Sequence, residues 1–267
     1  MKGMSTPHAA PPQEPSTRRR AGALLRFPAG VLLVSWQYFW RVTALHRSET
    51  AGDEGDLPPE LEPEHRDGRS KPLSEGVGPM FHRRFSVRIE GSPMSPGELS
   101  EAVVSNLNRV SPSTVAVFHK TRGAVGPPCV GDEYRVQMPG PWDGPVRVLH
   151  RDATSLRFGT LQGHLEAGQI QFTTRTAEDG LLEFETEAWS RAGDRLADLL
   201  YSRLRVAKEV QFNMWVHFCL RAAAIAGGRV VGGVHIDTRG IPEELCQPAR
   251  LRGAPARPRR RRRPRPR

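Results

Sequence analysis

Between residues 85 and 189 apolar positions come in short runs separated by polar ones. Phe85-Ser-Val-Arg-Ile89 alternates with period two and predicts a strand. Residues 115–118, 132–138, 146–149, 155–158, 169–174 and 181–189 predict further strands. Gly- and Pro-rich turn signals at 140–144, 163–168 and 178–180 separate them. In the last run Leu182, Phe184, Thr186 and Ala188 share one face, and Glu183, Glu185 and Glu187 the other. That pattern predicts an antiparallel sheet with one face in water and a solvated glutamate row.

The period changes twice. Ser95-Pro-Gly-Glu98 is a capping-box start with Pro at the first helical position, and a helix is expected from Leu99 to Val110, ahead of Pro112. From Asp194 to about Ala226, Leu196, Leu200, Leu204, Ala207, Val210, Met214, Phe218, Ala222 and Ile225 recur at steps of three and four. Gly227-Gly228 closes this long helix. Strands followed by a helix indicate an α+β fold, a curved antiparallel sheet wrapped around one long C-terminal helix over 80–228.

Composition sets the flanks apart. Residues 1–20 read as disordered, 21–46 as an apolar and aromatic helix, 47–79 as an acidic, Pro/Gly-rich linker, and 229–267 as an extension and Arg/Pro tail. The apolar segment follows Arg18-Arg19-Arg20 and admits three readings: a helix on the protein's own core, an interfacial membrane helix touching lipid through 24–42, or a span or export signal. Its unbroken apolar run, 27–40, is short for a span.

Charge changes the picture less than its total suggests. Ten of the 39 basic residues are arginines within 250–267, and without them 29 basic residues face 29 acidic ones. The net charge of +10 therefore belongs to a tail, which could hold nucleic acid or another polyanion or serve only solubility. Three widely spaced cysteines, Cys129, Cys219 and Cys246, argue against a disulfide framework and a zinc cluster, and a cytoplasmic location is expected. No dinucleotide fingerprint, phosphate loop or nucleophile elbow is present, so no cofactor is expected.

The most distinctive motif is Gly159-Thr-Leu-Gln-Gly-His-Leu-Glu-Ala-Gly168. His164-Leu-Glu166 matches the first part of a zinc-deaminase signature, but the Pro-Cys-x-x-Cys half is missing. In a Gly-bounded turn the pair can hold the backbone, contact a ligand at a cavity mouth, or act as weak catalytic candidates. Together with Val130-Gly-Asp-Glu-Tyr134 and Phe184-Glu-Thr-Glu-Ala-Trp-Ser-Arg191, this stretch resembles the bacterial domain-of-unknown-function family 1990. That family lies within the START/polyketide-cyclase-like (SRPBCC) helix-grip superfamily, and the resemblance covers about 80–225. It implies the helix-grip fold and an internal cavity, and no established activity. Gln169 departs from it, since the family often carries an acid there.

Trp142 is expected at the end of the sheet or a pocket entrance, and Arg191, with Ser190, at the cap of the long helix or against an anionic ligand group. His217 reads as a packing histidine or a base. Ligand contacts are expected from Trp142, His164, Glu166, Trp189, Arg191, Met214 and Phe218. Three functions stay open: a module binding a small apolar molecule in the cavity, an enzyme acting there, and a membrane-surface or nucleic-acid scaffold.

Overall fold

In the computed structural model of the chain, residues 44–113, 116–138, 143–193 and 206–246 are described. The strands are β1 (Leu45–Ala51), β2 (Val77–Glu90), β3 (Val117–Arg122), β4 (Glu133–Gln137), β5 (Asp143–Arg151), β6 (Ser155–Thr160), β7 (Glu166–Thr176), β8 (Leu182–Ala192) and β9 (Arg229–Ile241). The α-helices among the described residues are α1 (Pro96–Val104) and α2 (Val206–Ala226). All nine strands join one sheet in the order β1-β9-β2-β8-β7-β6-β5-β4-β3. The sheet is mixed, because β1 runs parallel to β9.

Local chemistry explains much of this. Ser95 Oγ accepts from the Glu98 N–H, and Glu98 Oε2 accepts from the Ser95 N–H at 2.7 Å, so the capping box starts α1 as read. Phe85, Val87 and Ile89 of β2, Phe184 of β8 and Phe158 of β6 share the inner face and are almost wholly buried. Phe212, Met214, Trp215, Phe218, Cys219 and Ala222 of α2 close over them. Each such large side chain contributes about 1.5–3 kcal/mol on burial. On α2 Val216 and Ala223 are buried too, so the covered face is wider than the expected stripe. Residues 194–205, where that stripe begins, lie outside the described residues.

The flanks differ from expectation. Residues 47–79, expected as a linker, are folded: most of β1 is here, then three 3-10 turns, then the start of β2. Residues 52–76 form a strap across the outer face. It is stitched to β6 by the Lys71 N–H to Thr160 O bond, at 2.9 Å, and to the turn after β6 by the Gln162 N–H to Arg69 O bond, at 2.8 Å. Past Gly228, where an extension was expected, β9 enters the sheet between β1 and β2. Thus α2 precedes the last strand and does not end the fold. Gly232 and Gly233, at φ of +72° and +84°, form the bulge where the β2–β9 register shifts. That glycine pair hides the strand in the sequence. Among the described residues no helix is long and apolar enough to cross a membrane. The 24–42 segment and the Arg tail lie outside them.

Candidate functional site

The His164 turn joins β6 to β7. His164 Nδ1 accepts the Glu166 backbone N–H at 2.9 Å. A ring nitrogen that accepts carries no proton, so the neutral ring is protonated at Nε2. Nε2 lies beside Gly144, and a Cβ there would stand only 3.0 Å away. Burial, with the nearby Lys71 ammonium, pulls the imidazole pKa down to about 4. Lys71 Nζ donates to the His164 carbonyl oxygen at 2.7 Å. Gly168 ends the turn at φ +153°, where a Cβ would collide with the Trp189 carbonyl. His164 and Glu166 thus meet through the backbone. No group of three or more His, Cys, Asp or Glu among the described residues could hold a metal ion.

The remaining candidates fall on two sides of the sheet. Met214 and Phe218 lie on the inner side, where Phe218 stacks on Phe172 with centroids 5.1 Å apart. Trp215 is their neighbour, 5.9 Å from Phe172 and 5.3 Å from Phe218, and its buried Nε1 has no hydrogen-bond partner among the described residues. Trp142 lies outside the described residues.

Trp189 and Arg191 lie on the outer side, beneath the strap. Arg191 was expected at a helix cap or a ligand. It sits instead inside β8 with its side chain fully buried, donating to Gly78 O at 2.8 Å, Leu73 O at 3.1 Å and Glu243 Oε1 at 2.8 Å. Trp189 stacks on His82 with centroids 5.2 Å apart. His82 is held between Asp56 of the strap, at 3.2 Å, and Glu187, at 2.7 Å. Arg239, 3.5 Å from Asp56, and Arg84, 3.0 Å from Glu187, complete this network. Both carboxyls are held below their usual range: burial opposes ionisation, but the Asp53 amide and His82 prevail at Asp56, and His82 and Arg84 at Glu187.

The glutamate row is not solvated. Glu183 and Glu185 are only 6% and 8% exposed, since Arg175 bridges both and Arg88 approaches Glu183. Farther along the strap, Glu133 Oε1 accepts from Arg147 Nη2 at 2.9 Å, and the same nitrogen reaches Asp67 at 2.9 Å. Asp67 is held down to about 2; burial opposes this, and Arg147 with the Arg69 amide outweighs it. Between strap and sheet runs a narrow crevice of about 20 Å³, lined in part by Lys71, Arg147 and Gln169. Asp56, His82 and Lys71 were not singled out from sequence. The available signal was Asp53-Glu-Gly-Asp56, a capping box that starts the first strap turn.

No curated protein matches the chain. Among solved structures, DynU16 from the dynemicin biosynthetic locus aligns at 18% identity and TM-score 0.36, over 54% of this chain and 46% of its own. The match thus spans less than half of DynU16. Ara h 8.0201 aligns at 16% identity and TM-score 0.37, over 55% of this chain and 99% of its own. Protein MLL2253 from Mesorhizobium loti aligns at 13% identity and TM-score 0.35, over 54% of this chain and 96% of its own. Likenesses at these values say nothing about activity. The family model of a domain of unknown function, DUF1990, matches residues 81–221, more than half of the chain, and the protein belongs to that family.

Proposed function

We propose that this protein is a small-molecule-binding module of the helix-grip kind, with its ligand held between the inner face of the sheet and α2. Two contacts support a curled sheet. Phe212 of α2 packs edge-on to Phe85 of β2 at 5.4 Å, and Phe218 packs edge-on to Phe118 of β3 at 6.4 Å. In the strand order β2 stands third and β3 last. A flat sheet would set them ~29 Å apart at ~4.8 Å per strand, whereas Phe212 and Phe218 are separated by ~9 Å along the helix.

The observation that carries the reading is the indole N–H of Trp215, a residue only 6% exposed, which has no acceptor among the described residues of this aromatic layer. A donor left bare in such a layer favours an apolar ligand with one acceptor, such as a ketone or ester carbonyl. Enzymatic chemistry has less support. Cys219 is buried, its thiol pKa pushed up by desolvation, and His164 is occupied by its own turn. Native mass spectrometry of the purified full-length chain is expected to show a co-purified apolar compound, diminished in Trp215→Phe. A chain of bare mass whose Trp215 indole resonance is unmoved by alkyl and aryl ketones would overturn the proposal.

A further inference from the structure

The loop between β3 and β4 departs from the way the rest of the described molecule treats apolar side chains. Among the described residues the exposed large hydrophobics are Val125 and Val130, at 106% and 48%. Both belong to Gly123-Ala-Val-Gly-Pro-Pro-Cys-Val-Gly131, which holds no charged residue. A single exposed valine needs no explanation. Two in one uncharged loop do, because this loop is pinned with both of them outward. Lys120 Nζ reaches the carbonyl oxygens of Ala124, Gly126 and Pro127 at 2.9, 3.1 and 3.2 Å, and Asp132 Oδ2 at 2.7 Å. Asp132 Oδ2 also accepts the Cys129 N–H at 2.9 Å, and the Gly131 N–H donates to Val148 O of β5 at 2.9 Å. Gly123, at φ +116°, closes the loop so tightly that a Cβ there would stand 1.9 Å from Asp132 Oδ1. One ammonium thus gathers the loop's carbonyls around itself while the valines face solvent.

Charge at the base of the hairpin shows what this tip suits. The acids within residues 117–137 are Asp132 and Glu133, both buried. Asp132 is held by Lys120 at 2.7 Å, and Glu133 by Arg147 at 2.9 Å and Arg69 at 2.6 Å. Arg122 and Arg135 are exposed, and Arg122 only approaches Glu133, at 3.7 Å. Exposed charge on the hairpin itself is therefore basic. A protein pocket would need a shape matched to this loop. A bilayer needs only apolar side chains at the tip and cations at headgroup depth, the pattern of an interfacial anchor. We infer that the β3–β4 hairpin docks on an anionic lipid surface, with Val125 and Val130 entering the boundary between headgroups and acyl chains and Arg122 and Arg135 meeting the headgroup anions. The hairpin is distinct in sequence from the 24–42 segment and the Arg tail, and the inference does not depend on the ligand proposed above.

The loop carries its own reporter. Cys129 is exposed, whereas Cys219 and Cys246 are buried, so the full-length chain takes an NBD fluorophore at Cys129, with Cys129→Ser as the labelling control. On vesicles of phosphatidylcholine and phosphatidylserine the NBD emission is expected to shift to the blue, and nitroxides on the lipid acyl chains are expected to quench it. Vesicles of phosphatidylcholine alone are expected to need at least about tenfold more lipid for the same shift. Val125→Asp combined with Val130→Asp changes two exposed side chains and is expected to lose the shift, even where the Arg tail still carries the protein to the vesicles. Flotation of the same samples reports whether the protein is bound. A parent chain that floats without a blue shift places the lipid contact elsewhere and overturns the inference. A parent chain that stays in solution overturns it as well and leaves the tip to a protein partner. An aspartate variant that shifts as the parent does would mean that the fluorophore enters the lipid by itself, and equal response to the two lipid compositions would remove the anionic preference; either result overturns the inference.

Discussion

At His164 the imidazole must stay neutral to accept the Glu166 N–H, and this ties the turn to pH. The folded pKa, about 4, lies below the 6.5 of a free histidine. Between those values the unfolded chain takes up a proton that the folded chain refuses. Stability is therefore fully present above about pH 6.5 and is lost as pH falls toward about 4. The loss is on the order of 1–3 kcal/mol, discounted for the partial exposure of the ring. The carboxylates held by ion pairs, such as Asp67, act at lower pH. His164→Ala is expected to cost about 0.5–1.5 kcal/mol at pH 7 and to flatten the pH 4–6.5 slope. His164→Asn keeps an acceptor within reach of the amide two residues on, and should recover part of the stability without the slope. Urea denaturation of the three proteins from pH 4 to 8 checks this; an unchanged slope in His164→Ala would assign it to another group. The glycines around His164 made the turn legible in sequence. Its Nδ1 acceptor role was not, because spacing does not reveal which backbone amide lacks a partner.

β8 shows what alternation can and cannot reveal. Leu182, Phe184, Thr186 and Ala188 are buried as the period-two pattern requires. The opposite face is also covered, because Arg175 comes from β7 and the strap comes from residues that look like a linker. A strand's own pattern names its two faces but not what another segment lays over them. Arg191 is the clearest case, since its neighbour in sequence suggested a cap and its partners lie 113, 118 and 52 residues away. Arg191→Met should leave two half-buried carbonyls without this donor and cost about 2–6 kcal/mol at about 1–3 per orphaned group. Arg191→Lys should recover little, since a point ammonium cannot span three acceptors placed around a planar fork. Thermal and urea denaturation would measure both, and a lysine variant as stable as the parent would show that only the charge matters.

For the molecule as a whole the decisive boundary is the one composition obscured. The change from helix to Gly227-Gly228 and then to Gly232-Gly233 reads as the end of a domain, yet β9 lies inside the sheet. Val234 and Ile236 are in the main core, and Ile241 packs with Met80 and Trp189 in the smaller cluster. Removing residues 229–267 would bare the full hydrogen-bonding edge of β2 and leave β1 without a neighbour among the described strands. An unpaired edge beside exposed apolar side chains favours aggregation over folding. The 1–228 chain is therefore expected to be insoluble or to unfold without a cooperative transition. Deleting only 249–267 removes ten arginines and almost no apolar side chain, so Tm should stay within a few degrees of the parent, while retention on heparin at low salt should be lost. Circular dichroism melts and heparin chromatography of the two truncations, run beside the full chain, separate the roles. A cooperative melt near the parental Tm for the 1–228 chain would mean that β9 is dispensable. Undiminished heparin retention after loss of 249–267 would place the polyanion affinity in the body of the protein, where acidic and basic residues balance.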